Sequence, residues 1–200
     1  MVLASASPRR AGLLRQLGVS FTVHAPSAGQ DPEDIAPEAP GPGDDPLRAA
    51  EAAVRRLAEA KADTAARDHP AACVIGADTI IVVDGRFLGK PVDGADAAAM
   101  LRRLSGRRHY VVTGVAVVRV QPPLRPVDSS ATRVWFRSLT DEEIARYVAT
   151  GEPLDKAGAY GIQGRAAAFV ERIEGDYFTV MGLPLARLTA LLERAGVRVL

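Results

Sequence analysis

Val74-Ile75-Gly76-Ala77-Asp78-Thr79-Ile80-Ile81-Val82-Val83-Asp84-Gly85-Arg86-Phe87-Leu88-Gly89-Lys90-Pro91 sets a carboxylate in the middle of an apolar strand. An ionised carboxylate buried without partners shifts its pKa or costs several kcal/mol. Asp78 therefore has cationic or metal partners, or lies at the wall of a cleft. Asp84-Gly85 is a two-residue hairpin signal, so the chain turns back through Arg86-Phe87-Leu88 and ends the returning strand at Lys90. That return carries the Lys90 ammonium toward the carboxylate.

Outward from this hairpin the chain alternates strand and helix signals. Val2-Leu3-Ala4 reads as a short strand; Ser7 is an N-cap, Pro8 suits a first helical position, and Gly18 closes a helix over residues 8–17. Residues 21–24 read as a second strand, followed by a proline-rich, acidic loop over 25–46 with few large apolar residues. Leu47, Ala50, Val54, Leu57, Ala58, Ala62 and Ala65 recur at helical spacing, predicting a long amphipathic helix over 47–67. Lys61 falls on that apolar stripe, so its stem runs along the buried face while its ammonium reaches an edge or a partner.

Past the hairpin, Asp93 caps a helix carrying Ala97, Met100, Leu101 and Leu104 that stops near Gly106. Residues 110–120 read as a long strand with a bulge at Gly114. After a proline-rich turn over 121–126, a strand is expected over 130–137. Thr140-Asp141-Glu142-Glu143 is a capping box opening a helix through Ile144, Tyr147 and Val148 to a stop at Gly151. A glycine-rich loop over 152–164, a strand over 166–173, a turn at Gly175-Asp176 and a helix over 184–195 complete the chain. No repeat or change of composition marks a domain boundary.

The chain of 200 residues is 48% hydrophobic and 24% charged, which fits one α/β domain or two closely joined lobes. Its 25 basic and 24 acidic residues give a formal charge of +1, and so no global drive toward a nucleic acid polymer or an anionic membrane. Any anion site is local. The single cysteine, Cys73, excludes an internal disulfide and reads as a small core residue. His24, His69 and His109 lack metal spacing and read as ordinary positions, and neither a P-loop, a GxGxxG fingerprint nor a GxSxG elbow is present. With no apolar leader and no membrane-length apolar segment, the chain reads as soluble and cytoplasmic.

Two further stretches bear on chemistry. Ser5-Ala6-Ser7-Pro8-Arg9-Arg10 surrounds one helix N-terminus with backbone N–H groups, two hydroxyls and two guanidiniums. Cations there oppose the helix dipole, so the pair either faces a compensating anion or points into water. In the segment Leu154-Asp155-Lys156-Ala157-Gly158-Ala159-Tyr160-Gly161-Ile162-Gln163-Gly164, glycines and alanines let backbone approach a ligand while Asp155, Lys156 and Gln163 supply polar groups. The alternative is an ordinary surface loop.

The run Leu3-Ala4-Ser5-Ala6-Ser7-Pro8-Arg9-Arg10, with Ile75-Gly76-Ala77-Asp78-Thr79, Leu88-Gly89-Lys90-Pro91, Leu104-Ser105-Gly106-Arg107, Val112-Thr113-Gly114-Val115 and the Asp155 to Gly164 segment, resembles the Maf family of nucleotide pyrophosphatases. The matches run in order from residue 3 to Gly182-Leu183-Pro184-Leu185. The resemblance implies a single two-lobed α/β domain over 1–200, with a long twisted mixed sheet flanked by helices, similar to the inosine triphosphate pyrophosphatase fold. It implies hydrolysis of a nucleoside triphosphate to the monophosphate and pyrophosphate with a divalent metal, Mg2+ or Mn2+, as a housecleaning activity that includes modified nucleotides, and a homodimer. The Gly-Ala-Tyr-Gly-Ile-Gln-Gly form is similar to the dTTP/UTP branch. By the same resemblance Asp78 is the proton acceptor and a metal ligand, and Lys90 joins it in catalysis. Ser5, Arg9, Arg10, Lys61, Lys90 and Gln163 bind phosphate and base, and Arg10, Thr79 and Gln163 set specificity.

Two departures accompany the match. Many relatives carry an Asp-Glu pair soon after the second strand, where this chain has Ser27-Ala28-Gly29-Gln30-Asp31-Pro32-Glu33. Asp31 is the candidate second metal ligand there, and Glu33 the next. Relatives also often place Glu-Thr before the Val-x-Phe strand, where this chain has Ala131-Thr132-Arg133-Val134-Trp135-Phe136. The competing readings are a nucleotide-binding regulator of septum formation, and a 7-methyl-GTP pyrophosphatase, against which Gln163 argues.

Overall fold

A computed structural model describes residues 1–25, 40–41 and 43–199. The strands are β1 Val2–Leu3, β2 Thr22–Val23, β3 Val74–Val83, β4 Arg86–Leu88, β5 Arg108–Val118, β6 Val127–Phe136 and β7 Val170–Glu174. The helices are α1 Pro8–Gln16, α2 Pro46–Ala66, α3 Gly94–Leu104, α4 Asp141–Val148, α5 Tyr177–Met181 and α6 Leu185–Arg194. The strands form one mixed seven-stranded sheet in the order β2-β1-β3-β5-β6-β7, with β4 also on β3. β1 runs parallel to β2 and β3, and the remaining pairs are antiparallel. Among the described residues no helix is long and apolar enough to cross a membrane.

The topology leaves a gap along one edge of β3. β5 pairs with β3 from Val74 to Val82. On the other edge β1 meets β3 only at Val74 and Ile75, and β4 only from Ile81 to Val83. Among the described residues neither short strand reaches 76–80 on that edge, so Asp78 and Thr79 sit where β3 is left uncovered between two neighbours.

Helices cover both faces. On one, α2 lays Val54, Leu57, Ala58 and Ala62 over Val74, Ile80, Val112 and Ala116. On the other, α1 and α6 bury Leu13, Leu14, Leu188 and Leu192 against Ile75, Val115 and Val117, while α3 and α4 bury Leu101, Leu104 and Ile144 against Ile81, Val111, Val134 and Phe136. The gap between these two apolar clusters lies over the middle of β3.

Local signals explain the elements. Ser7 caps α1 with Pro8 in its first turn, and Asp45 and Pro46 do the same for α2. Asp84 and Gly85 both adopt positive φ, as a type I′ hairpin requires. Thr140 and Glu143 close both halves of the capping box on α4.

Two expectations are corrected, and one short helix was not expected. β5 keeps continuous register with both neighbours through Gly114, so there is no bulge there; the irregularity falls at Trp135/Phe136 in β6. Gly114 is instead demanded by the approach of α2, because a Cβ there would strike the carbonyl of Val54. The strand expected over 166–173 begins as a 3-10 turn, Arg165–Phe169, before β7. Gly175-Asp176 leads into α5, which Asp176 caps through the N–H groups of Phe178 and Thr179. Five residues between a capping Asp and a left-handed Gly182 are too few for a periodic apolar signal.

Candidate active site

The uncovered stretch of β3 forms the floor of a cleft of about 680 Å³. The corner after β1 supplies Ser5, Arg9 and Arg10; the chain after β4 supplies Gly89, Lys90 and Val92; the glycine-rich segment supplies Asp155, Lys156, Tyr160 and Gln163; α5 and its cap supply Met181 and Gly182. Four cationic side chains thus face two carboxylates, Asp78 and Asp155, in a chain of net charge +1. Clustered cations beside low-dielectric walls raise the local concentration of an anionic ligand.

Asp78 is 4% exposed, and its Oδ1 accepts a hydrogen bond from Lys61 Nζ at 2.7 Å. Two glycines create this pair. A Cβ on Gly76 would overlap the Ala58 carbonyl, and one on Gly114 the Val54 carbonyl, so their absence lets α2 lie against β3 and β5 at backbone distance. Lys61, one turn beyond Leu57, then reaches the carboxylate with its stem buried. It stands behind Asp78 and is not among the residues lining the cleft.

Arg10 is 7% exposed and ties three elements together. Its Nε donates to the Gly182 carbonyl at 2.8 Å, Nη1 to Ser5 Oγ at 3.2 Å and Nη2 to Thr79 Oγ1 at 3.4 Å. Thr113 Oγ1 donates to the Thr179 carbonyl at 2.8 Å, so its contact with Thr79 Oγ1 at 3.0 Å has Thr79 as donor. The hydrogen bonds therefore run one way, from Arg10 through Thr79 and Thr113 to α5. This fixes which groups the guanidinium presents to the cleft.

At the rim, Arg9 Nη1 lies 3.3 Å from Asp155 Oδ2, while Lys156 Nζ donates to Asp155 Oδ1 and to the Glu152 carbonyl, each at 2.6 Å. Burial pulls the Asp155 carboxyl upward, but the Lys156 ammonium and the Arg9 guanidinium outweigh it and hold it below its ordinary value. Lys90 and Gln163 are exposed and both line the cleft.

The structure thus gathers Ser5, Arg9, Arg10, Asp78, Thr79, Lys90 and Gln163 around one cleft, with Lys61 behind it. Asp31 and Glu33 lie outside the described residues. Sequence reasoning passed over Thr113 and His109, whose polar atoms point inward from β5; a hydroxyl and an imidazole within so apolar a strand were the available signal.

A cation-lined cleft around a buried carboxylate, cut into one edge of a mixed α/β sheet, defines a protein built for a small anionic ligand. The chain belongs to the Maf-like protein family, which matches residues 1–195. It is 44% identical over 200 residues to the dTTP/UTP pyrophosphatase of Dictyoglomus thermophilum, covering 100% of this chain and 98% of that one. It is 50% identical over 200 residues to the dTTP/UTP pyrophosphatase of Pelotomaculum thermopropionicum, with the same coverage. With the protein of that name from Symbiobacterium thermophilum the identity is 50% over 196 residues, 98% of this chain and 94% of the other.

Proposed function

We propose that this protein is a nucleoside triphosphate pyrophosphatase that hydrolyses dTTP and UTP to the monophosphate and pyrophosphate. The observation that carries the reading is identity of about half, along the whole chain, to proteins named for that activity. The buried Asp78 at the floor of a cationic cleft supports it chemically.

In this reading Arg9, Arg10, Lys90 and Lys156 meet the triphosphate, and Gln163 meets the base. Water attacks the α-phosphorus, the bond to the bridging α–β oxygen breaks, and pyrophosphate departs with that oxygen. The water proton passes to Asp78, whose carboxylate Lys61 holds in place. The cations spread over the cleft stabilise charge as it develops on the phosphoryl oxygens.

The activity implies a divalent cation, Mg2+ or Mn2+. Among the described residues no group of three His, Cys, Asp or Glu forms a cage for one. A cation of the magnesium type takes one or two carboxylates together with substrate phosphates, so Asp78 suits it as a hard oxygen ligand. When bound, such an ion neutralises phosphate charge.

The test is release of pyrophosphate and monophosphate from dTTP, UTP, CTP and 7-methyl-GTP with Mg2+ or Mn2+, for wild type and Asp78→Asn. Cleavage of dTTP and UTP by wild type, reduced roughly 10²–10⁴-fold in the variant, is expected. Cleavage of 7-methyl-GTP alone, or binding without turnover, overturns the reading.

A further inference from the structure

We infer that His109 is a positioning residue for the cleft: its hydrogen bond to Tyr160 fixes the turn that brings Lys156 and Gln163 to the ligand. The inference rests on the hydrolase reading for what that ligand is. His109 lies on β5, 1% exposed, and its Nε2 is 2.8 Å from the Tyr160 hydroxyl. Tyr160 lines the cleft, its ring edge-on to His109 and Phe136 with centroids 5.5 and 4.8 Å away.

The pair is costly as a packing device. Among the described residues the buried His109 Nδ1 has no hydrogen-bond partner. Burial pushes the imidazole down to about 3, so it stays neutral at any working pH. A neutral imidazole and a phenol hold two hydrogens between them, and one hydrogen bond uses only one. Two apolar rings would fill this space without a stranded polar atom. What the hydrogen bond adds over such rings is direction, since it holds the Tyr160 ring at one place against β5.

The backbone beside Tyr160 needs such a hold. Gly158 and Ala159 both have positive φ, at 65° and 60°, and for alanine this conformation is strained. Consecutive left-handed residues reverse the chain sharply, so that Lys156 before the turn and Gln163 after it face the same cleft. The turn is held on one side by Gly158 N–H donating to the Gly89 carbonyl at 2.9 Å. On the other, Gly161 N–H donates to the Tyr147 hydroxyl at 3.3 Å, and that hydroxyl donates to Glu152 at 2.9 Å. His109 supplies the hold between these two, from the sheet.

The test compares His109→Phe, Tyr160→Phe, the double variant and His109→Gln with wild type by Tm, by KM and kcat for UTP, and by amide hydrogen exchange over residues 152–164 without nucleotide. Each Phe single variant is expected to lower Tm, and the double variant to regain it, because both polar partners are then gone. KM stays raised about tenfold or more in the double variant, with a smaller change in kcat, and exchange over 152–164 stays faster. His109→Gln, which keeps a neutral group facing the hydroxyl, recovers part of the KM. If KM and exchange return to wild-type values along with Tm in the double variant, the role is packing alone and the inference fails. If wild type does not turn over UTP, the hydrolase reading fails instead, and exchange decides: rates unchanged in the double variant overturn the inference, and faster rates sustain it.

Discussion

Lys61 and Asp78 form an ion pair at 2.7 Å with side chains 2% and 6% exposed, set between α2 and the stretch of β3 that neither β1 nor β4 reaches. A charge pair withdrawn this far from water stabilises little overall, yet losing one member is costly. Its value lies in holding a carboxylate at the floor of a cleft.

Lys61→Met is accordingly expected to destabilise the protein by about 3–5 kcal/mol in urea unfolding, because the carboxylate stays buried without this ammonium. The double variant Lys61→Met with Asp78→Leu regains most of that loss and remains inactive. A Lys61→Met protein as stable as wild type would sink this account of the pair.

Gly76→Ala alters no residue that lines the cleft but sets a methyl group against the Ala58 carbonyl and 2.8 Å from Ala62 N. Both neighbours are helix backbone and cannot step aside as a flexible side chain would. A loss of at least about 1–3 kcal/mol is expected. Turnover should fall with it as α2 shifts and carries Lys61 away from Asp78. Full activity in Gly76→Ala would show that the close approach of helix and sheet is not what sets the pair.

Arg10→Lys keeps the charge but not the fork. A guanidinium donates to Gly182, Ser5 and Thr79 in three directions, which an ammonium on a flexible stem cannot reproduce in the same space. The expected cost is about 2–4 kcal/mol, from a buried carbonyl and hydroxyls that lose a charged donor. Discrimination among nucleotides should weaken too, since Thr79 loses the donor that orients it. Wild-type stability and selectivity in Arg10→Lys would refute the fork.

The acid limb of stability should carry the mark of Glu143. Arg137 donates to both its oxygens, at 2.7 and 3.0 Å, and with the Thr140 N–H holds the carboxyl at about 2 against an ordinary 4.5. A carboxyl depressed on folding stabilises fully above its unfolded value and loses that contribution as pH falls through the folded one. The Tm gap between wild type and Glu143→Gln should therefore be constant above pH 4.5 and shrink from there toward pH 2. A gap that widens on acidification would reverse the sign and rule out this carboxyl as the source.

Much of the fold was legible because its signals are local. The Asp84-Gly85 hairpin, the Ser7 and Asp93 caps, the Thr140 capping box and the apolar stripe of α2 each depend on residues a few positions apart. Lys61 on that stripe was readable as a buried stem seeking a partner, and Asp78 as a carboxylate needing one. That they are each other's partners was not readable, because the match depends on how closely two backbones approach. Gly114 makes the same point: within β5 it looks like an interruption, and only α2 above it gives it a purpose. His109 was set aside for lacking metal spacing, yet its partner, Tyr160, lies 51 residues away.

The sequence by itself determined most of the elements, the hairpin and the caps of α1, α3 and α4, the apolar faces and the inventory of charged groups, since each follows from the steric and hydrogen-bonding preferences of neighbouring residues; the short α5 and the 3-10 turn before β7 carry too few residues for such a signal. Only the tertiary structure decided that β1 and β4 stop short of each other on β3, that α2 sinks onto two glycines, and that Arg10 joins α1, β3 and α5. These depend on register and on the distance between backbones, set by the packing of segments far apart in the chain, and they are what turn scattered charges into one cleft.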